Sequence, residues 1–324
     1  MTRMKPVTVA AALLACLAAA PALSQTYPAR PVKIVVGFAA GGGTDINARI
    51  IGSKLAEHFG QSVVVENRPG AGTLIAAEAV ARAAPDGYTL LLSGLTTYAV
   101  NPSLYPKLPY DTLRDFAPVS LSGNFGLVLG VDPALPVRTL ADFIALAKAQ
   151  DGKLLYGSAG AASSNQLAME LLMQRAGIRL THVPYKGSVV AMQDLLAGRI
   201  PVMFIDLATG MSQLRAGKIR VLATATRERS SAFPDAPTVA EAGLPGYEML
   251  IWQGVVAPAG TPAGVIQRLN AGIAAAMADP GVKQKLADVG IDPLRSTPEE
   301  FGTFLRAELT KWAEVIRRGK ITLD

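Results

Sequence analysis

The chain has 324 residues, of which 50% are hydrophobic and 17% are charged. This composition excludes a disordered protein, which would have fewer apolar and more charged residues. A single cysteine excludes a disulfide-stapled mini-protein, and the length suits roughly two domains with a sizeable core. The net charge of +6 is not gathered into a basic stripe interleaved with aromatic residues, so no nucleic-acid partner is expected.

The first two dozen residues have the pattern of a secretory signal peptide. Arg3 and Lys5 form a basic start, and a short apolar run follows over residues 6–20. We expect cleavage after Ser24, which removes both basic residues and leaves a periplasmic protein of net charge +4. The alternative is a lipoprotein anchor through Cys16. No later stretch is long and apolar enough to predict a membrane span.

In the first part of the mature chain, β-branched runs alternate with helical patterns. The predicted elements are a strand over 32–37, a helix over 46–59, a strand over 62–66, a helix over 74–83 and a strand over 88–92. This order predicts a parallel sheet covered by helices.

The same alternation returns in the middle of the chain, and helices dominate the end. The predicted elements are helices over 140–150, 164–175, 189–196, 262–277, 281–289 and 298–318, and strands over 154–156, 180–184, 201–205 and 218–223. The last helix starts with a capping box, Thr297 to Glu300. Two α/β units side by side leave a cleft outside the carboxyl ends of their strands, where small ligands bind.

The first strand is followed by the glycine-rich loop 37–45, which leads directly into a helix. Such a loop exposes backbone N–H groups at a helix N-terminus, which suits an anion. A nucleotide P-loop would need a lysine where Gly43 stands, so a carboxylate fits better. The alternative is an ordinary tight turn in which Asp45 only caps the helix.

The loop 156–166 has a similar composition in the second unit. Its Ser158 raises the possibility of a hydrolase, but Tyr156 stands where a nucleophile elbow needs glycine. Of the two histidines, His58 lies late in a helix and His182 in a short strand, so neither is predicted to serve Ser158 or Ser163 as a base. The sequence has no HExxH motif and no cysteine pair, so no metal or cofactor is expected.

Two more strand ends carry polar residues. The segment 93–97 offers hydroxyl groups that could hydrogen-bond an anion, or it could be an ordinary turn. Asp206 ends a strand of the second unit, where it could bind a ligand amine or a water, or cap the helix that follows.

Several longer motifs give the chain a family resemblance. The sequence resembles the Bug-type extracytoplasmic solute receptors, the substrate-binding components of tripartite tricarboxylate transporters. The motifs, which run over almost the whole mature chain, are YPARP (27–31), GGGTD (41–45), VENRPGAG (65–72), APDGYTL (84–90), NPSLY (101–105), HVPYKG (182–187), PTVAEAG (237–243) and VAPAGTP (256–262).

The resemblance implies an α/β periplasmic binding protein of type II, with two lobes and a hinge. Lobe 1 would comprise 25–123 and 226–324, and lobe 2 would comprise 124–225. A monomeric receptor would hold a small carboxylate or amino acid and deliver it to membrane permease subunits, or present it to a sensor protein. The implied ligand-binding residues are Phe38, Gly42, Gly43, Thr44, Asp45, Thr73, Ser93, Thr97, Ser158, Gly160, Ser163, Gln166, Tyr185, Asp206 and Trp252.

The sequence departs from the usual family pattern at positions that the resemblance places in the cleft. Many members of the family have prolines where this chain has residues 39–40, and a histidine where it has Gln166. They often have an Asp-Asn pair where this chain has Ile205-Asp206, and a Gly-Asn pair where it has Thr73-Leu74. Asp206 would disfavour a second ligand carboxylate unless an amine or a water intervenes. We therefore expect an acid less highly charged than citrate, either a monocarboxylate or an amino acid.

Overall fold

Two β-sheets flanked by helices make up the chain, as a computed structural model describes it over residues 27–38, 40–185, 187–230 and 232–323. The predicted signal peptide and Cys16 lie outside the described residues. The strands are β1 (Val32–Val36), β2 (Val63–Asn67), β3 (Thr89–Gly94), β4 (Phe116–Phe125), β5 (Leu127–Val131), β6 (Leu155–Ser158), β7 (Thr181–Pro184), β8 (Val202–Asp206), β9 (Arg220–Thr224), β10 (Ile251–Pro258) and β11 (Ile291–Asp292).

The helices lie between these strands in an α/β order, as the sequence predicts. They are α1 (Gly43–Phe59), α2 (Leu74–Ala81), α3 (Asn101–Leu104), α4 (Leu140–Gln150), α5 (Ser164–Ala176), α6 (Ser188–Leu196), α7 (Leu207–Arg215), α8 (Ala263–Ala278), α9 (Pro280–Asp288) and α10 (Pro298–Gly319). A wider helical turn over Thr96–Val100 leads into α3, and a short 3₁₀ turn over Ala71–Thr73 leads into α2.

The first sheet has six strands in the order β11-β4-β10-β3-β1-β2. Strand β1 is parallel to β2 and β3, and Ile34 lies opposite Val65 and Leu90. Strand β10 is antiparallel to both of its neighbours, and β11 is antiparallel to β4. The strands of the predicted βαβαβ segment are therefore parallel, as expected, but the whole sheet is mixed, because β10 returns from late in the chain to lie between β3 and β4.

The second sheet has five strands in the order β7-β6-β8-β5-β9. Strand β6 is parallel to β7 and β8, whereas β5 is antiparallel to β8 and β9. Here too the sheet is mixed rather than parallel. The sequence did not predict strand β5. All five of its residues are buried, so it lacks the alternation of polar and apolar residues that marks a half-exposed strand.

The chain passes between the two sheets at Gly126, the one residue between β4 and β5. A side chain at Gly126 would meet Leu207 Cδ1 at 2.6 Å, so the crossing is close to the start of α7. The return path runs over 225–250 and is held to the second sheet, because the Ala225 N–H donates to the Leu127 carbonyl at 2.9 Å. Both crossings thus lie beside strand β5.

One face of the first sheet packs against α1 and α8, around fully buried residues such as Ile34, Ile51 and Leu269. On the other face, a hydrophobic core continues without a break into the second sheet, from Leu91 and Trp252 to Phe204. Helix α10 packs against β4 in the first sheet and against α5 beside the second. It therefore spans the junction of the two sheets.

Helix α10 begins at the predicted capping box. The Glu300 N–H donates to Thr297 Oγ1 at 3.1 Å, and the Thr297 N–H donates to the Glu300 carboxylate at 2.8 Å. In the part of the chain that the structure describes, none of the helices combines the length and the apolar character that crossing a membrane requires.

Candidate functional site

A cavity of about 570 Å³ lies between the carboxyl ends of strands from the two sheets. Such an edge is where open α/β sheets bind small ligands. Residues from both sheets line the cavity. They are Phe38, Gly42, Gly43, Thr44, Gly94, Leu95, Thr96, Phe125, Ile251, Trp252 and Gln253 on the first-sheet side, and Ala159, Ser164, Gly187, Ser188, Asp206 and Thr209 on the second-sheet side.

Helix α1 begins at the cavity wall without a side-chain cap. Its N-cap residue is Gly42, and no side chain accepts a hydrogen bond from the first turn in that position. Free N–H groups and the helix dipole make this end attractive to an anion. A side chain at Gly43 would lie 2.3 Å from Phe125 Cε1, so glycine lets the Phe125 ring lie directly against the helix start.

Asp45 is in the first turn of α1, but its carboxylate is occupied by the protein. It accepts hydrogen bonds from the Gly41 N–H at 2.9 Å, Arg49 Nε at 3.0 Å and Asn67 Nδ2 at 2.9 Å. Burial works to raise the pKa of Asp45, but these hydrogen bonds outweigh it and hold the pKa below its usual value. Asp45 is 2% exposed and does not line the cavity, so it shapes the glycine loop from within.

Behind the helix start, amide and hydroxyl groups form a buried hydrogen-bonded chain. Gln253 Nε2 donates to Thr44 Oγ1 at 2.6 Å, and Asn47 Nδ2 donates to Gln253 Oε1 at 2.6 Å. This chain links α1 to the central strand β10, which fixes the helix start relative to the first sheet.

Helix α6 presents a second uncapped start on the opposite wall. Its N-cap residue is Gly187, with no side-chain cap, and both Gly187 and Ser188 line the cavity. Helix α5 begins nearby but is capped, because Ser163 Oγ accepts from the Gln166 N–H. The side-chain oxygen of Gln166, Oε1, in turn accepts from the Ala162 N–H at 2.6 Å.

Asp206 lies at the end of β8, and it is the one charged side chain among the described residues that line the cavity. Its Oδ2 accepts hydrogen bonds from Asn165 Nδ2 at 3.1 Å and Ser188 Oγ at 2.6 Å. Asp206 is the N-cap residue of α7, but its side chain makes no capping hydrogen bond to that helix.

The structure corrects the sequence-based view of His182. Its Nε2 lies 2.6 Å from Ser158 Oγ, so a histidine is in fact placed beside that serine. The Ser158 hydroxyl also donates to the Gly160 carbonyl at 2.9 Å and accepts from the Gly160 N–H at 3.1 Å. Ser158 is fully buried and does not line the cavity. Burial lowers the pKa of His182, which keeps the imidazole neutral at pH 7.

Three predicted hydroxyl residues form a buried cluster beneath the loop 94–96 rather than lining the cavity. Thr97 Oγ1 lies 2.6 Å from Thr73 Oγ1 and 2.5 Å from Ser93 Oγ. Thr73 has a left-handed backbone, with φ of 78°, and its Cβ would lie 2.7 Å from a side chain at Gly37. The cluster thus supports the loop after β1 from below.

The remaining predicted residues divide between the wall and the layer behind it. Trp252 borders the cavity, but its indole N–H donates to Glu308 at 2.7 Å on the other side of the sheet. Tyr185 does not line the cavity, and its hydroxyl donates to Asp194 at 2.8 Å. Gly160 and Ser163 belong to the loop around Ser158.

Sequence reasoning missed several wall residues. Gly187 and Ser188 follow β7 in the same pattern of strand, small residues and helix that revealed the other two loops, so that signal was available. Phe125, Ile251 and Gln253 belong to strands that the sequence did not predict. Within the described ranges, no group of three or more His, Cys, Asp or Glu side chains could hold a metal ion.

Comparison with known proteins identifies the family. The family described as the tripartite tricarboxylate transporter family receptor matches residues 47–321. The chain belongs to this receptor family. Protein BugT of Bordetella pertussis is 39% identical over 300 residues, covering 92% of each chain.

Solved structures of similar receptors have the same fold. A protein of R. palustris with adipate is 37% identical, with a TM-score of 0.79 and coverage of 91% of this chain and 99% of its own. MatC from Rhodopseudomonas palustris with bound malate is 34% identical, with a TM-score of 0.75 and coverage of 90% and 100%. The chain is therefore a solute receptor of the periplasmic-binding-protein fold, in a family whose members are periplasmic receptors of a membrane transporter.

Proposed function

We propose that this receptor captures a small organic acid in the cavity between its sheets and delivers it to the permease subunits of a tripartite transporter. It acts in the periplasm, after its leader is removed following Ser24. The observation that carries the proposal is the pair of uncapped helix starts, α1 and α6, on opposite walls of the cavity. Each offers N–H groups to a carboxylate without the desolvation cost of a buried Lys or Arg.

The two sheets act as two lobes, which the chain joins at Gly126 and again over 225–250, close to the boundaries at 123/124 and 225/226 that the family resemblance implies. A ligand that contacts both walls favours a closed arrangement, because those contacts exist together only when the lobes approach. Since a single chain supplies both walls, the receptor binds as a monomer.

No catalytic step accompanies binding. Ser158 is fully buried and does not line the cavity, so its hydroxyl is not accessible as a nucleophile. The residues implied by the family act in two layers. Phe38, Gly42, Gly43, Thr44, Asp206 and Trp252 form the wall, and Asp45, Thr73, Ser93, Thr97, Ser158, Gly160, Ser163, Gln166 and Tyr185 hold the loops behind it.

The test uses protein exported with its own leader and purified from the periplasm. Thermal unfolding is measured with adipate, malate, citrate, hexanoate, amino acids and phosphate. A ligand at 100 times its dissociation constant adds about 2.7 kcal/mol to the free energy of unfolding, which raises the melting temperature. We expect a rise with at least one class of carboxylate and none with phosphate.

Two glycine variants show where the acid binds. In Gly43→Ala the added carbon would lie 2.3 Å from Phe125 Cε1, so the helix start must shift and we expect the affinity to fall by about tenfold or more. Gly264→Ala is the control, because nothing lies within 4 Å of its added carbon. The proposal fails if no carboxylate raises the melting temperature, or if Gly43→Ala binds as the parent does.

A further inference from the structure

One oxygen of Asp206 has no hydrogen-bond partner among the described residues. Both contacts to this carboxylate, from Asn165 Nδ2 and from Ser188 Oγ, go to Oδ2. Asn165 is held in turn by the Phe204 carbonyl at 3.0 Å, so the carboxylate is anchored from behind. Oδ1 is therefore left for a group inside the cavity.

No cationic side chain among the described lining residues balances this carboxylate, which has only the partial positive charge at the starts of α6 and α7 beside it. Among the described lining residues there is no Lys, Arg or His, and Phe38, Leu95, Phe125 and Ile251 give much of the surface an apolar character. A carboxylate that is half-buried in such surroundings gains most from a cationic partner that donates hydrogen bonds. The ligand is the group that could supply one.

The cavity also has an anion-binding end on the other lobe. The uncapped start of α1 lies on the first-sheet wall, whereas Asp206 lies on the second-sheet wall. A ligand that bridges the lobes with one carboxylate at α1 would bring its other end towards Asp206. A second carboxylate there would be repelled by the full charge of Asp206, which outweighs the partial positive charge at the start of α6, and an ammonium group would be attracted.

We propose that Asp206 Oδ1 binds the protonated amine of a zwitterionic ligand, an amino acid with an apolar body, whose carboxylate lies at the start of α1. This inference rests on the proposed function and narrows its ligand class. The phenyl rings of Phe38 and Phe125 and the side chain of Ile251 contact the apolar body, so the receptor selects by charge at both ends and by shape between them.

The experiment compares acids that differ at one end only. Calorimetry on the receptor purified from the periplasm measures the binding of three sets of acids. The first set is adipate, hexanoate and 6-aminohexanoate. The other two are the pairs leucine with 4-methylpentanoate and phenylalanine with 3-phenylpropanoate. We expect the ammonium-bearing member of at least one set to bind about tenfold more tightly than its amine-free counterpart.

Asp206→Asn is the informative variant. Its amide oxygen can replace Oδ2 and keep both contacts to Asn165 and Ser188, while its NH₂ replaces Oδ1 and removes the charge. We expect Asp206→Asn to abolish the preference for the amine and to improve binding of the amine-free acid. Asp151→Asn is the control, because it removes the same charge from an exposed position outside the cavity.

The outcomes separate this inference from the proposed function. If the parent receptor binds the amine-free acid of every set as tightly as the amino acid, Asp206 does not select an amine, and the proposed function stands alone. An unchanged preference in Asp206→Asn also overturns the inference. If none of these acids binds, the inference fails, and the proposed function fails with it only if malate, citrate and the other acids of the thermal screen also leave the melting temperature unchanged.

Discussion

The Ser158 hydroxyl shows at the scale of one residue how a strand-end serine can fix a loop. It contacts His182 and both polar atoms of the Gly160 backbone, and among the described residues His182 donates no hydrogen bond to a carboxylate. A serine nucleophile needs an accessible hydroxyl and a base oriented by a third group. We therefore assign the pair of Ser158 and His182 to the architecture of the loop 158–163.

The buried imidazole of His182 makes the stability of the receptor depend on pH. Burial lowers its folded pKa, whereas the unfolded chain titrates near the ordinary value of 6.5. Between these two values the unfolded state binds a proton that the folded state does not, so the free energy of unfolding falls as the pH drops below about 6.5. We expect a loss of less than about 1.4 kcal/mol per pH unit, because a single group changes the number of bound protons by at most one.

Urea unfolding at pH 5.0 to 8.0, followed by circular dichroism, measures this loss. His182→Gln is the matched variant, since its amide can still hydrogen-bond Ser158 but does not titrate. The difference in unfolding free energy between the two proteins should shift in favour of the variant as the pH falls. A difference that is constant over this range would show that His182 is not the titrating group.

Individual residues of the site were predictable as far as the sheet edge, and no further. The sequence predicts Gly42, Gly43 and Asp206 at the ligand-binding edge because each lies at the end of a strand or in the loop after one, and all three line the cavity. The same reasoning could not distinguish a wall residue from its support. Asp45 turns back onto the Gly41 N–H, and that orientation depends on tertiary partners such as Asn67, far along the chain.

At the scale of one element, helix α10 is anchored by a single buried carboxylate. Glu308 Oε2 accepts from Trp252 Nε1 at 2.7 Å and from Trp312 Nε1 at 2.8 Å. Replacement by leucine leaves two buried indole N–H groups without an acceptor, at about 1–3 kcal/mol each. We expect Glu308→Leu to lower the free energy of unfolding by at least about 2 kcal/mol, measured by urea unfolding.

Glu308→Gln is the control for this prediction. Both indoles donate to the same oxygen, so the single carbonyl oxygen of glutamine can accept both bonds. We expect this variant to lose less than about 1 kcal/mol. Equal losses in the two variants would mean that the carboxylate charge, rather than the paired acceptor, stabilises α10.

The elements that the sequence failed to predict share a physical cause. Strands β5 and β10 lie inside their sheets and are buried on both faces, so no alternation of exposed polar residues marks them. Strand β4, also inside its sheet, instead buries its alternating Ser120, Ser122 and Asn124. Glycines within or beside them mimic turn signals but serve close packing. A side chain at Gly254 would lie 2.3 Å from Phe301 Cζ, and one at Gly94 would lie 2.1 Å from the Trp252 carbonyl oxygen.

For the whole molecule, a continuous core joins the two lobes on the side away from the cavity. Trp252 on strand β10 borders the cavity, and its indole ring packs against Phe301 on α10. Helix α10 then reaches the second lobe, where Gln174 Nε2 of α5 donates to the Val315 carbonyl at 3.1 Å. The two lobes therefore share a packed junction on the side away from the cavity.

Hydrogen exchange tests whether one ligand engages both lobes. We expect whichever of adipate and 6-aminohexanoate binds more tightly to slow exchange by about tenfold or more at the starts of α1 and of α6, because each start supplies N–H groups to the cavity. Helix α9 does not line the cavity, so its exchange should stay unchanged and serves as the internal reference. Slower exchange at α1 alone would mean that the acid binds to one lobe without closing the receptor.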